Sequence, residues 1–135
     1  MGEIRRIALC HQHRAGITPL HDLAQPLTGA MFDIWVDVFH EHLVEDGLIS
    51  MELEELSDRV ENDPDYSKII QPLFDEAFAQ DPDGFATALA DSRDFMGLAL
   101  AGTWTRLSSA HLDYADVAQA MLETDREVTG GRFAR

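Results

Sequence analysis

The segment from Pro26 to Gly47, PLTGAMFDIWVDVFHEHLVEDG, decides the fold. Its apolar residues fall at Leu27, Ala30, Met31, Ile34, Trp35, Val38, Phe39 and Leu43. Steps of three and four residues place all of them on one side of a helix, and such a stripe is stable in water only when covered. Gly47 then supplies a stop suited to a left-handed C-terminal residue. The pattern predicts an amphipathic helix starting after Pro26, with Ile34 and Trp35 both inside the core.

Outward from that segment the same logic gives four more helices. A second starts near Ser50, with Met51, Leu53, Leu56 and Val60 apolar and acids in its first turn, where the positive end of the helix dipole favours them. The run Glu61-Asn62-Asp63-Pro64-Asp65 ends it, since proline disfavours helix in the residue before it. A third covers about Asp65 to Gln80, with Pro72 expected to kink or divide it. Asp81-Pro82-Asp83-Gly84 reads as a breaker. A fourth helix, rich in Ala and Leu, covers about Phe85 to Leu107, where Gly97 and Gly102 allow close approach of another helix. After a turn at Ser108-Ser109 the last helix starts near Asp113, whose side chain can cap it, with Asp116 three residues on. Tyr114, Val117, Ala118, Met121 and Leu122 form its apolar face, and Gly130-Gly131 closes it. No strand-like alternation longer than four residues, internal repeat or low-complexity linker interrupts this order. The expected architecture is all-α, a bundle of about five helices: residues 1–20 an irregular N-terminal segment, residues 21–135 a single helical domain.

Composition narrows the function. With 45% hydrophobic residues the 135-residue chain can pack a core, which excludes a disordered acidic protein. Asp and Glu number 25 against 10 Lys and Arg, a formal charge of −15 and a pI near 4.5. Such a surface repels phosphate backbones and anionic lipid, so neither nucleic acid nor membrane is an expected partner. A basic partner is compatible with it, as is the plainer role of keeping the protein soluble. One cysteine, Cys10, leaves no internal disulfide framework. No apolar run follows Arg5 and Arg6 as in a signal peptide, and none approaches a membrane span; the expected location is cytoplasmic.

Catalytic signatures are missing. There is no His-Glu-x-x-His, no glycine-rich phosphate loop, no Gly-x-Ser-x-Gly and no Cys-x-x-Cys. Thiolate and imidazole at Cys10, His11 and His13 suit a soft metal, but ligands this close together on an irregular segment are read as part of that segment. Asp33, Asp37, His40 and Glu41 form a carboxylate–histidine group on the first helix; the acids at four-residue spacing share one face, and a solvated face is the preferred reading over a cleft. A stand-alone metal enzyme using His11, His13, His40 and His42 is disfavoured, because His40 and His42 point about 200° apart on an ideal helix. His21, beside Asp22 and ahead of Pro26, is the remaining candidate, a residue whose charge responds to pH near neutrality.

The segment from His21 through Asp33 resembles the stretch in thermolysin-like zinc metallopeptidases, the gluzincin group, where an active-site histidine precedes a small-residue turn and a long helix. Thr103-Trp104-Thr105-Arg106-Leu107, the Ser108-Ser109 turn and Tyr114 through Gly130 are similar to that family's closing helices. The resemblance implies the C-terminal helical lobe of such an enzyme, with His21 stabilising the oxyanion of a tetrahedral intermediate only when an upstream zinc-bearing region is present. Loss of a contribution of that kind costs about 10² to 10³ in rate. The upstream zinc motif and glutamate ligand are absent from this sequence, and the stretch before His21, Gly16-Ile17-Thr18-Pro19-Leu20, lacks the acid that would orient it. The chain alone is therefore expected to be inactive and to hold no cofactor or metal, zinc being implied only for a longer chain.

Two functions follow. As a lobe, the chain would form one wall of a substrate cleft and pair with an upstream catalytic region, or with a second copy as a homodimer, through its fourth helix. As the alternative, it is a free-standing acidic helical module that binds another protein through that helix or through the acidic segment from Glu52 to Asp65.

Overall fold

The computed structural model describes residues 20–108, 110 and 112–132, with the backbone alone for 20–24. These residues form five helices and, among them, no strand: α1 (Leu20–Glu45), α2 (Met51–Val60), α3 (Tyr66–Gln80), α4 (Pro82–Arg106) and α5 (Tyr114–Thr129). The all-α architecture is as expected. Two compact units are delineated, one of residues up to Val36 together with Asp94–Arg135, the other Asp37–Arg93.

The stripe that decides the fold is covered at Ile34, Val38 and Leu43, each at most 4% exposed. Trp35 departs from expectation: it is half-buried rather than enclosed. Its ring stands perpendicular to that of Phe32, which is 60% exposed, with the centroids 6.4 Å apart. Helix α1 also starts earlier than the stripe indicates and runs through Pro26. Pro26 is exposed, so the carbonyl its missing N–H leaves without an intrahelical partner can turn to water.

In the unit Asp37–Arg93 the chain reverses at the end of α1 through a left-handed glycine. Gly47 has φ +69°, its N–H donates to the Val44 carbonyl, and the Leu48 N–H reaches back to the Leu43 carbonyl at 2.8 Å. This pair of bonds is the Schellman arrangement, and its usual apolar contact is present: Leu43 and Leu48 share one cluster with Ile49, Phe85 and Ala88. Ser50 then caps α2 by accepting the Leu53 N–H. The Ser57 and Tyr66 hydroxyls, 2.9 Å apart, tie α2 to α3.

The Asp81-Pro82-Asp83-Gly84 cluster, expected to break the chain ahead of a helix from Phe85, instead starts α4. The Asp81 carboxylate accepts the Gly84 N–H at 2.8 Å, and Pro82 occupies the first helical position, where a missing N–H costs nothing. Phe85 is thereby set into the core, with the rings of Phe39 and Phe78 edge-on to it at 6.4 and 5.5 Å. Pro72 lies inside α3, exposed and without dividing it.

In the other unit, the second half of α4 meets α5 at Gly102 and Thr124. Met96, Ala99 and Thr103 from α4 and Val117, Ala118, Ala120, Met121 and Thr124 from α5 are all buried. The hydroxyls of Thr103 and Thr124 donate to carbonyls one turn back, at Ala99 and Ala120, so neither polar group is stranded. Asp113 and Asp116 form a reciprocal capping box at the start of α5, as their spacing predicts, and Gly130 closes the helix. Gly102 sits directly over Thr124: a Cβ there would lie 2.5 Å from the Thr124 methyl and 3.1 Å from its hydroxyl. Thr124 is buried and held by its own hydrogen bond, so it cannot give way.

Gly102→Ala is therefore expected to destabilise the protein by about 1–3 kcal/mol, the usual cost of overpacking. Thr124→Ser removes the clashing methyl and keeps the hydroxyl. In urea melts the double variant Gly102→Ala/Thr124→Ser should be less destabilised than the sum of the two single changes. Additive losses would mean that the two residues are not in contact.

Candidate functional site

His21 is the second residue of α1, but its side chain lies outside the described residues, as do Cys10, His11 and His13 entirely. Asp33 and Asp37 are exposed on α1. His40 and Glu41, grouped with them by spacing, are half-buried and enter a different environment.

The His40 ring packs against Phe74 of α3, centroids 5.1 Å apart, and lies 6.2 Å from the ring of Phe39. Burial lowers the His40 pKa below its ordinary value, and the Asp58 carboxylate on α2 opposes that shift without cancelling it. Glu54 on α2 is displaced the other way: burial raises its pKa first, then the negative charges of Asp58, Glu41 and Glu55. The elements α1 and α2 thus bring His40 into the field of Asp58, and Glu41 into that of Glu54. Among the described residues no group of three or more His, Cys, Asp or Glu side chains is arranged to hold a metal ion. A neutral, aromatic-flanked imidazole beside crowded carboxylates can exchange a proton with its surroundings. Its visible chemical consequence is pH sensitivity.

The fourth helix, expected to offer a partner face through its glycines, uses one of them internally, since Gly102 is occupied by Thr124. Nothing lies within 4 Å of a Cβ built at Gly97, and Leu98 and Trp104 are 60% and 57% exposed. The acidic segment from Glu52 to Asp65 proves to be part of a larger pattern. Residues 37–93 contain 16 Asp and Glu against three Lys and Arg, a net charge of −13 with His neutral. The remaining 78 residues hold nine and seven, a net of −2. Nearly all the net charge of the chain therefore sits on one compact unit. Counting charge by segment rather than over the whole sequence would have found it.

That same unit carries an open groove of about 440 Å³ between α2 and α3. Leu48, Leu53, Leu56, Leu73 and Ala77 supply its apolar surface, with Glu52 on α2 and Glu76 on α3 at its sides. The sequence concealed it because Leu53 and Leu56 read simply as the core stripe of a short helix. Their partial exposure depends on how far apart the α1–α2 turn and Tyr66 hold the two helices.

Comparison with family models, characterised proteins and solved structures finds no match to this chain. The geometry of its own residues carries the functional reading.

A histidine held below its ordinary value of about 6.5 binds fewer protons in the folded state than in the unfolded one. Its contribution to stability is present above that pH and is lost as pH falls through the folded value. Urea melts between pH 7.5 and 5.5 should show a loss of stability in the wild type that His40→Phe lacks. Parallel curves for the two proteins would show that His40 is solvated.

Proposed function

We propose that this chain is a non-catalytic acidic helical module that binds another protein through the unit Asp37–Arg93. The observation that supports this reading is the coincidence of a net −13 charge and an open apolar groove on one compact unit. Charge kept only for solubility has no reason to gather on one unit, and an apolar groove confers no solubility. Together they provide what a protein interface uses: apolar area for affinity, and charge for steering and for rejecting wrong partners.

The alternative, a lobe of a thermolysin-like metallopeptidase with His21 as its oxyanion-stabilising residue, rests on the two sequence anchors at His21–Asp33 and Thr103–Gly130. No contact among the described residues adds to them. It would require zinc supplied by a region upstream, and it leaves the charge of the unit Asp37–Arg93 unused.

Affinity purification of the tagged chain from its native cells distinguishes the two. A stoichiometric protein partner retained at 100 mM NaCl and released above 500 mM is the expected result, because steering by charge is screened by salt. Absence of such a partner, together with zinc-dependent casein hydrolysis by a chain extended upstream and lost on His21→Ala, would replace the module with the lobe.

A further inference from the structure

We infer that the groove between α2 and α3 receives an amphipathic helix with a basic rim from the partner protein. This inference rests on the module reading and specifies the chemistry of its partner.

The groove gives the occupant its shape. Its apolar surface comes from two flanking helices and the turn that leads into α2, and among the described residues no strand offers an edge to which an extended peptide could add. Helix α2 is 10 residues long, so the groove wall extends about 15 Å at 1.5 Å per residue. Two to three turns of a partner helix match that length, presenting apolar residues at i, i+4 and i+7. Leu73 is 38% exposed and is the most accessible anchor point; Ile69, one turn earlier on the same face of α3, is equally exposed and continues the apolar strip.

The charge gives the occupant its sign. Glu52 and Glu76 stand on the two flanking helices, and Glu55 is exposed one turn after Glu52. Lys68, one of only three Lys and Arg in this unit, is already paired with Asp65. A helix bearing Lys or Arg beside its apolar stripe would meet carboxylates on both sides while its stripe is covered. Other occupants are disfavoured by the same charge. A second copy of the chain would bring another −13 unit against the first, and anionic lipid or nucleic acid would be repelled likewise. An uncharged apolar helix would fit the floor but leave the carboxylate rim without counter-charge.

The test uses the full chain and three synthetic peptides: a Leu/Lys helix of about 16 residues with Leu at i, i+4 and i+7, a scrambled sequence of the same composition, and a shorter all-Lys peptide of equal charge. Binding is followed by fluorescence anisotropy at 50 and 300 mM NaCl. Amide chemical shifts locate the contact, and circular dichroism confirms that each variant is folded. The helix peptide should bind at least tenfold more tightly than either control and shift the amides of Leu53, Leu56, Leu73 and Ala77. Leu73→Asn, and separately Glu52→Gln/Glu76→Gln, should each weaken it at least tenfold. Equal affinity for all three peptides, or shifts elsewhere, would overturn the groove assignment and leave only diffuse attraction between opposite charges. A native partner retained equally by wild type and by both variants would keep the module reading and overturn the groove. Absence of any native partner would overturn both.

Discussion

The segment Asp37–Arg93 must fold around an apolar centre while carrying a net charge of −13. Two like charges 10 Å apart in water repel by about 0.4 kcal/mol, and each carboxylate here has many neighbours. Self-repulsion of this kind opposes compaction. The unit answers it with a centre in which Leu43 and Ala88 are fully enclosed, Ile49 and Phe85 nearly so, and with backbone devices that satisfy polar groups locally. The Schellman turn at Gly47, the Ser50 cap and the Asp81 cap work at the three points where the chain enters or leaves a helix beside that cluster. Aromatic edges from Phe39 and Phe78 against Phe85 complete it.

The His40–Asp58 and Glu54 environments express the same constraint. Burial against Phe74 disfavours the charged form of His40 even though a carboxylate is near, and burial, reinforced by neighbouring acids, lifts Glu54. Their displaced proton affinities therefore follow first from packing the two side chains into a small centre. Apolar surface left open between α2 and α3 is harder to assign to folding alone, and for that reason the proposed function rests on the groove rather than on the histidine. The α4–α5 pair relies instead on close approach at Gly102, with the buried threonines satisfied by carbonyls of their own helices.

Helix existence and type were legible in the sequence because they depend on local periodicity and capping. Ser50, Asp113 with Asp116, and Gly47 act as their positions predict. Proline was the weak point of the reading. Pro26 and Pro72 lie inside helices because both are exposed, so water can take the bonds they interrupt, and Pro82 opens a helix because Asp81 caps it. Tertiary facts were legible only in part. That Ile34 is buried follows from the stripe, whereas the partial exposure of Trp35 depends on what stands across from it. Gly102 was identified as a point of close approach, but only the structure shows that Thr124 of the same chain fills it. The groove escaped altogether, since the residues that line it, separated by up to 29 positions from Leu48 to Ala77, are joined only by the fold.

If the net charge of −13 on the unit Asp37–Arg93 repels itself, screening it must relieve the repulsion. Thermal melting of the full chain from 10 to 300 mM NaCl at pH 7.5 measures this directly. The melting temperature should rise steadily over that range, most steeply at low salt where the screening length shortens fastest. A melting temperature that stays constant or falls would show that the acids are already neutralised within the chain, and the surface would then have no charge left to offer a basic partner.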